Sequence, residues 1–303
     1  MPEFESLPIV FLIGAGRSGT TLLYKTISLH RDVAYLSNYH NKYRGTILTS
    51  GIERVFRGYP GIKLKSWFKD DGTAYFNRAR ELYIKAIPQP SECESVYRRC
   101  GAPITPADRQ DVSEKSRECL RRTFREILRY TGGTVLLSKR TANNRRIGFL
   151  QSIFPEAKFV HLVRDGRGVA YSLLHVNWWA DHILFWSGMT PSEMLAQGQN
   201  AIDLAARNWV EEMECIEQGL AGVDTSRVCE LRYEDFLAQP YAQLNNLLRF
   251  MGVEPSADRR YRACVDALML KPEKVKWMTA WTDEQKAKVL SIQKDTLART
   301  GYL

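Results

Sequence analysis

The 303-residue chain contains no apolar run near the roughly 18 residues that a membrane-crossing helix needs. Its longest early run, Ile9 to Gly14, is short even for a signal-peptide core, and Glu3 and Glu5 stand where such a peptide carries positive charge. The expectation is a cytoplasmic protein without a membrane span. None of the six cysteines (93, 100, 119, 215, 229 and 264) forms a C-x-x-C pair, which argues against a zinc ribbon or a thioredoxin-type redox site. No metal is expected, and the thiols read as buried or idle, with Cys93 and Cys100 the one close pair that a disulfide would join. No internal repeat and no Gly/Ser linker divides the chain, so residues 1–303 read as one domain. Hydrophobic residues at 44%, with 20 Gly and 12 Pro, exclude disorder and collagen-like sequence. No DNA- or RNA-binding motif is present, so nucleic acid is not an expected partner. Nothing in the sequence sets the oligomeric state.

What is present is a surplus of cations, 43 Lys+Arg against 34 Asp+Glu for a net charge of +9, and so an affinity for some anion. Short continuous apolar runs alternate with helical stretches. Pro8–Ile13, Thr134–Leu137, Ala157–Val163 and Arg227–Arg232 read as buried strands. Helices are expected over Thr20–Leu29, from the Thr105-Pro106 cap through Leu120, Phe124, Ile127 and Leu128, along the stripe Ile202 to Leu220, and over Pro240–Phe250 and Asp283–Leu297. The pattern predicts an α/β fold with a central parallel sheet flanked by helices. Residues 40–105 hold no clear strand and many Tyr, Arg and Pro, and together with the stretch up to 130 they read as an inserted lid or acceptor region.

Two segments carry chemistry. The first, Ile13-Gly14-Ala15-Gly16-Arg17-Ser18-Gly19-Thr20-Thr21, joins a strand to a helix. Its glycines let backbone N–H groups converge at a helix N-terminus, which makes an anion site. Arg17 adds a forked cation, and Ser18, Thr20 and Thr21 add hydroxyls. It departs from the nucleoside-triphosphatase loop G-x-x-x-x-G-K-[ST], because Thr20 stands where that loop has Lys. The second is Arg164-Asp165-Gly166-Arg167 after the strand Phe159–Val163, with Ser172 eight residues beyond Arg164. A strand end that opens a helix is where open α/β sheets bind ligands.

Arg17-Ser-Gly-Thr-Thr21 resembles the 5′-phosphosulfate loop of the sulfotransferase family, whose donor is 3′-phosphoadenosine-5′-phosphosulfate (PAPS). Arg164 and Ser172 resemble the same family's 3′-phosphate motif, and Glu230-Leu-Arg-Tyr233-Glu-Asp-Phe236 resembles a segment whose Tyr lies against the nucleotide. The resemblance runs over most of the chain, leaving out residues 40–130 and 178–198. It implies a nucleotide-hydrolase-like sulfotransferase fold and in-line sulfuryl transfer from PAPS to a hydroxyl acceptor, a carbohydrate or other small molecule. It also implies site residues. Gly16, Arg17, Ser18, Gly19, Thr20 and Thr21 would hold the 5′ end of the donor, and Arg164, Ser172 and Tyr233 the rest. Arg17 would neutralise the leaving phosphate, and Lys139, at a strand end, would reach the sulfuryl group.

The general base departs from the family. Where cytosolic members have K-x-H, Lys139 is followed by Arg140 and Thr141, and where glycan-modifying members carry Glu, this chain has Tyr39 beside His40. A Tyr ordinarily titrates near 10, so His40 is the better base, with Asp32 and Glu53 as alternatives. The family's C-terminal loop is replaced by Lys271-Pro-Glu-Lys274-Val-Lys276-Trp277, where Lys274 and Lys276 would close over the nucleotide. The stretch with Trp178, Trp179, Asp181, His182 and Trp186 either packs a core corner or lines an acceptor site. The competing readings are a P-loop kinase, a non-catalytic binder of polyanions, and a degenerate relative that keeps the nucleotide site without the base.

Overall fold

The computed structural model describes residues 6–43, 45–69, 86–103, 112–255, 258–271 and 275–303. The apolar runs become one five-stranded sheet: β1 (Ile9–Ile13), β2 (Val33–Tyr35), β3 (Val135–Lys139), β4 (Lys158–Val163) and β5 (Val228–Arg232). The order is β2-β3-β1-β4-β5 and every neighbouring pair is parallel. Four of the strands follow the runs seen in the sequence. β2, three residues at the edge, is too short to announce itself.

Both faces of the sheet are covered, which is why its strands are continuously apolar rather than alternating. In β1, Val10 and Leu12 face α1 (Thr20–Ser28) through Leu23 and Ile27. Ile9, Phe11 and Ile13 face the opposite way, onto a second apolar cluster.

Four helices precede that second layer in the chain: α2 (Asn38–Lys42), α3 (Thr46–Phe56), α4 (Pro60–Trp67) and α5 (Glu94–Arg99). Next come α6 (Glu114–Thr131) and α7 (Ile147–Ile153), which supply Leu120, Phe124, Ile127, Phe149 and Ile153 to it. The far end of the 40–130 stretch therefore belongs to the core. Ser113 caps α6 by accepting from the Ser116 amide, while Thr105 and Pro106 lie outside the described residues.

The rest of the chain adds α8 (Gly166–Leu173), α9 (Pro191–Ala196), α10 (Ala201–Leu220), α11 (Tyr233–Ala238), α12 (Pro240–Met251), α13 (Arg259–Ala267), α14 (Lys276–Ala280) and α15 (Asp283–Arg299). A third cluster beside β4 joins α8, α10 and α15 through Val169, Ala170, Trp209 and Val289.

Two findings correct the cysteine reading. Cys100 is bonded to Cys119, tying α5 to α6, and Cys93 instead donates to the Ser37 carbonyl at 2.9 Å. Among the described residues, no helix is long and apolar enough to cross a membrane.

Candidate active site

The chain reverses direction across the sheet at β1, so the carboxyl ends of β1, β3 and β4 enclose a crevice. The glycine-rich loop leaves β1 there. Gly14 has φ 154°, and a Cβ on it would stand 2.5 Å from the Leu162 carbonyl oxygen. Asn144 secures this turn from both sides: the Gly14 amide donates to its Oδ1 at 3.1 Å, and its Nδ2 donates to the Gly14 carbonyl at 2.9 Å. Nδ2 also donates to Glu212 at 2.7 Å.

Arg17 sits in the left-handed region, φ 71°, at a cost of roughly 1–2 kcal/mol for a non-glycine residue. Its Nε donates to Ser172 Oγ at 3.0 Å, and its carbonyl accepts from Arg164 Nη1 at 2.5 Å. Gly19 (φ 86°) opens α1, and a Cβ there would meet the Tyr233 ring at 2.3 Å, so Tyr233 lies directly against the loop. Among the described residues no side chain caps the first turn of α1, which leaves those amides available to an anion. Gly16 faces open space. The Ser18 hydroxyl is buried with no hydrogen-bond partner among the described residues. Thr20 is buried beside it, and Thr21 faces the cavity described below.

The second motif packs onto the first. Arg164 is largely buried at the end of β4, its guanidinium 5.0 Å from the centre of the Tyr233 ring. Asp165 caps α8 by accepting from the Arg167 amide, and it also grips the Arg167 guanidinium, at 2.9 Å to each carboxylate oxygen. Arg167 is thereby turned away from the loop and stacked 4.8 Å from Trp277. Ser172 lies two helical turns on.

A cavity of about 280 Å³ is lined by Arg17, Arg164, Ser172, Lys276 and Trp277. A neighbour of about 400 Å³ shares Arg164 and Trp277 and reaches Arg232 and Tyr302. On the other side a hollow of about 670 Å³ shares Arg17 and is lined by Thr21, Glu92, Lys139, Trp178 and His182. The three form one trough with Arg17 and Arg164 at the joints.

In the large hollow Lys139 Nζ stands 3.4 Å from Thr21 Oγ1 and pairs with Glu92, which also pairs with Arg140. Burial alone pushes the Glu92 carboxyl up, but the two cations outweigh it and hold it at about 2. Desolvation, then the charges of Arg145 and Arg140, hold the His182 imidazole below its ordinary value. Thr141, Leu173 and Trp179 line it as well, with Asp181, Asn208 and Glu212 as further polar groups.

The bases expected from sequence lie elsewhere. His40 is buried under α3: its Nδ1 accepts from the Ser37 amide at 3.1 Å, leaving Nε2 to donate to Ser50 at 3.0 Å. Burial, then the charge of Arg99, lowers it to about 4. It does not line the hollow, because the capping turn at Ser37 draws the ring inward. Tyr39 donates to the Ala86 carbonyl at 2.7 Å, Asp32 is tied to Arg57 at 2.7 Å, and Glu53 is buried against His40. Lys274 falls outside the described residues. Glu92 and Asn144 escaped the sequence reading, since neither stands in a motif and both reach the site from distant positions.

Comparison with known proteins gives the family. A model of the sulfotransferase family matches residues 8–258. The curated relatives include the omega-hydroxy-beta-dihydromenaquinone-9 sulfotransferases Stf3 of Mycobacterium bovis and Mycobacterium tuberculosis, each 25% identical over 266 residues. The match covers 81% of this chain and 63% of theirs, so the chain spans less than two thirds of the length of those relatives. Sulfotransferase STF9 from Mycobacterium avium superposes with a TM-score of 0.59 at 13% identity, over 98% of this chain and 78% of that one, and shares its fold. The chain belongs to the sulfotransferase family.

Proposed function

We propose that the protein transfers a sulfuryl group from PAPS to a hydroxyl acceptor held in the large hollow. The observation that carries this reading is the interlock of the two basic motifs: Arg17 Nε on Ser172, and Arg164 on the Arg17 carbonyl. Cations so joined suit one ligand with phosphate at two positions, where a single-phosphate nucleotide would use only one of them. The donor's 5′ end fits the loop, because the Ser18 hydroxyl is buried without a partner and the α1 amides are uncapped. Bound there, PAPS supplies an activated sulfuryl group and a phosphate leaving group.

The chain's own residues then have distinct tasks. Arg17 and the α1 amides neutralise charge on the 5′-phosphate. Arg164, Ser172 and Lys276 hold the 3′-phosphate, and Tyr233 and Trp277 flank the nucleoside. Lys139, between Thr21 and Glu92, faces the transferred group. For the acceptor proton His182 is better suited than Glu92. An imidazole held below its usual pKa is unprotonated at neutral pH and free to accept a proton, whereas a carboxylate held near 2 is a weak base. Glu92 positions Lys139 instead. The wall of Leu173, Trp178 and Trp179 favours an apolar acceptor. The curated relatives act, by their names, on a hydroxylated menaquinone, so a polyprenyl alcohol is the first class to try.

Calorimetry with 3′,5′-bisphosphoadenosine and 5′-AMP tests the nucleotide site. The bisphosphate should bind at least tenfold more tightly, and Arg164→Ala should remove most of that difference. Equal affinities in the unaltered protein would sink the reading. Transfer of labelled sulfate from PAPS to a panel of alcohols then tests the acceptor class.

A further inference from the structure

Helix α3 is turned inside out. Its inward side is polar, with Thr49, Ser50 and Glu53 buried. Its outward side carries Ile47, Leu48 and Val55, exposed at 51%, 73% and 64%. At about 100° per residue these three share a quarter-to-third of the helix circumference. A surface helix of a folded domain ordinarily shows the opposite arrangement. Tyr43 just before α3, and Tyr59 and Ile62 just after it, are exposed as well.

Charge narrows what such a face meets. From Asn38 to Lys69 the only acidic residue is Glu53, while Lys42, Arg44, Arg54, Arg57, Lys63, Lys65 and Lys69 are basic. Lys42, Arg54 and Lys65 are exposed. Glu53 displays no negative charge outward: it is buried against His40, and burial pushes its carboxyl up to about 8. An apolar strip edged by cations, with no exposed carboxylate among the described residues of its own segment, has the makeup of a helix lying in a lipid headgroup layer. A second copy of the chain would set the same cations against one another.

We infer that the outward face of α3 docks on an anionic lipid surface, with Leu48 and Val55 entering the acyl boundary and Lys42 and Arg54 meeting the headgroups. The inference stands apart from the transfer reaction, and lipid binding is measured without it. The test is flotation of the full chain with vesicles of phosphatidylcholine alone and of phosphatidylcholine with phosphatidylserine.

The chain should float with the anionic vesicles only and be released by salt. Leu48→Ser/Val55→Ser and Lys42→Gln/Arg54→Gln should each weaken binding on the order of tenfold, since each cation near such a surface counts for roughly fivefold. All four side chains are exposed, so melting temperature and bisphosphoadenosine binding should not change. The inference is overturned if neither vesicle binds, or if both double variants bind as the unaltered chain does. It is equally overturned if sedimentation shows a dimer that Leu48→Ser/Val55→Ser dissolves, for then a second copy covers the face.

Discussion

Arg17 shows how one residue serves two ends. Its left-handed backbone is a strained state for a side chain with a Cβ, held by contacts from both directions. Its side chain lines both the large hollow and the smaller cavity beside Ser172. His182 and Glu92 make a second residue-scale contrast: Lys139 and Arg140 hold Glu92 ionised, while desolvation, then the charges of Arg145 and Arg140, depress His182. If His182 takes the acceptor proton, kcat/KM falls as pH drops through the imidazole pKa, on the side where the ring is protonated. His182→Gln should then lower the rate about 10²-fold or more and flatten that acidic limb. Glu92→Gln should lower the rate while leaving the limb in place. A limb that persists in His182→Gln would show that another group is the base.

At the scale of the element, α3 carries a titration signature. His40 Nδ1 lies 3.2 Å from Glu53 Oε1, but burial drives the two groups toward neutrality, so this contact joins an uncharged acid to an uncharged ring. The signs follow from proton counting. Glu53 is raised from 4.5 to about 8, so between those values the folded chain holds a proton that the unfolded chain has lost, and stability falls as pH rises. His40 is lowered from 6.5 to about 4, so between those values the unfolded chain holds the extra proton, and stability rises with pH. The two oppose each other from about 4.5 to 6.5; above that, of the pair, only Glu53 acts, until buried Lys63, lowered to about 8, begins to release its proton. Glu53→Gln should therefore lessen the loss of melting temperature between pH 6.5 and 8, read by thermal melts at closely spaced pH. An unchanged slope would mean that Glu53 is ionised in the folded chain.

The whole molecule brings together, at the carboxyl ends of the central strands, residues that lie far apart in sequence. The loop after β1, the strand end at Lys139, Arg164 after β4 and Trp277 near the C-terminus all border the trough. A ligand that spans it should protect several of these segments at once. In hydrogen exchange, bisphosphoadenosine should slow the amides of both 14–21 and 164–172, whereas 5′-AMP should slow mainly the first. Protection confined to the loop with either nucleotide would separate the two clusters functionally.

Much of this was legible in the residues themselves. β1, β3, β4 and β5 announce themselves because a strand covered on both faces must be apolar throughout, and the loop because only glycine fits Gly14 and Gly19. Arg17, Arg164, Ser172 and Tyr233 stand at local spacings that a motif preserves. Other features have no local pattern. Asn144 reaches the loop from 130 positions away, Glu92 meets Lys139 across 47, and Cys100 pairs with Cys119 rather than with its nearer neighbour. His40 has the pKa range of a base in isolation, yet the Ser37 turn and the polar side of α3 bury it. Sequence determined the strands and the anion loop, since both depend on backbone conformation and on burial of neighbouring side chains. The tertiary structure alone decided which charges face each other across the crevice, because that follows from how the chain crosses the sheet.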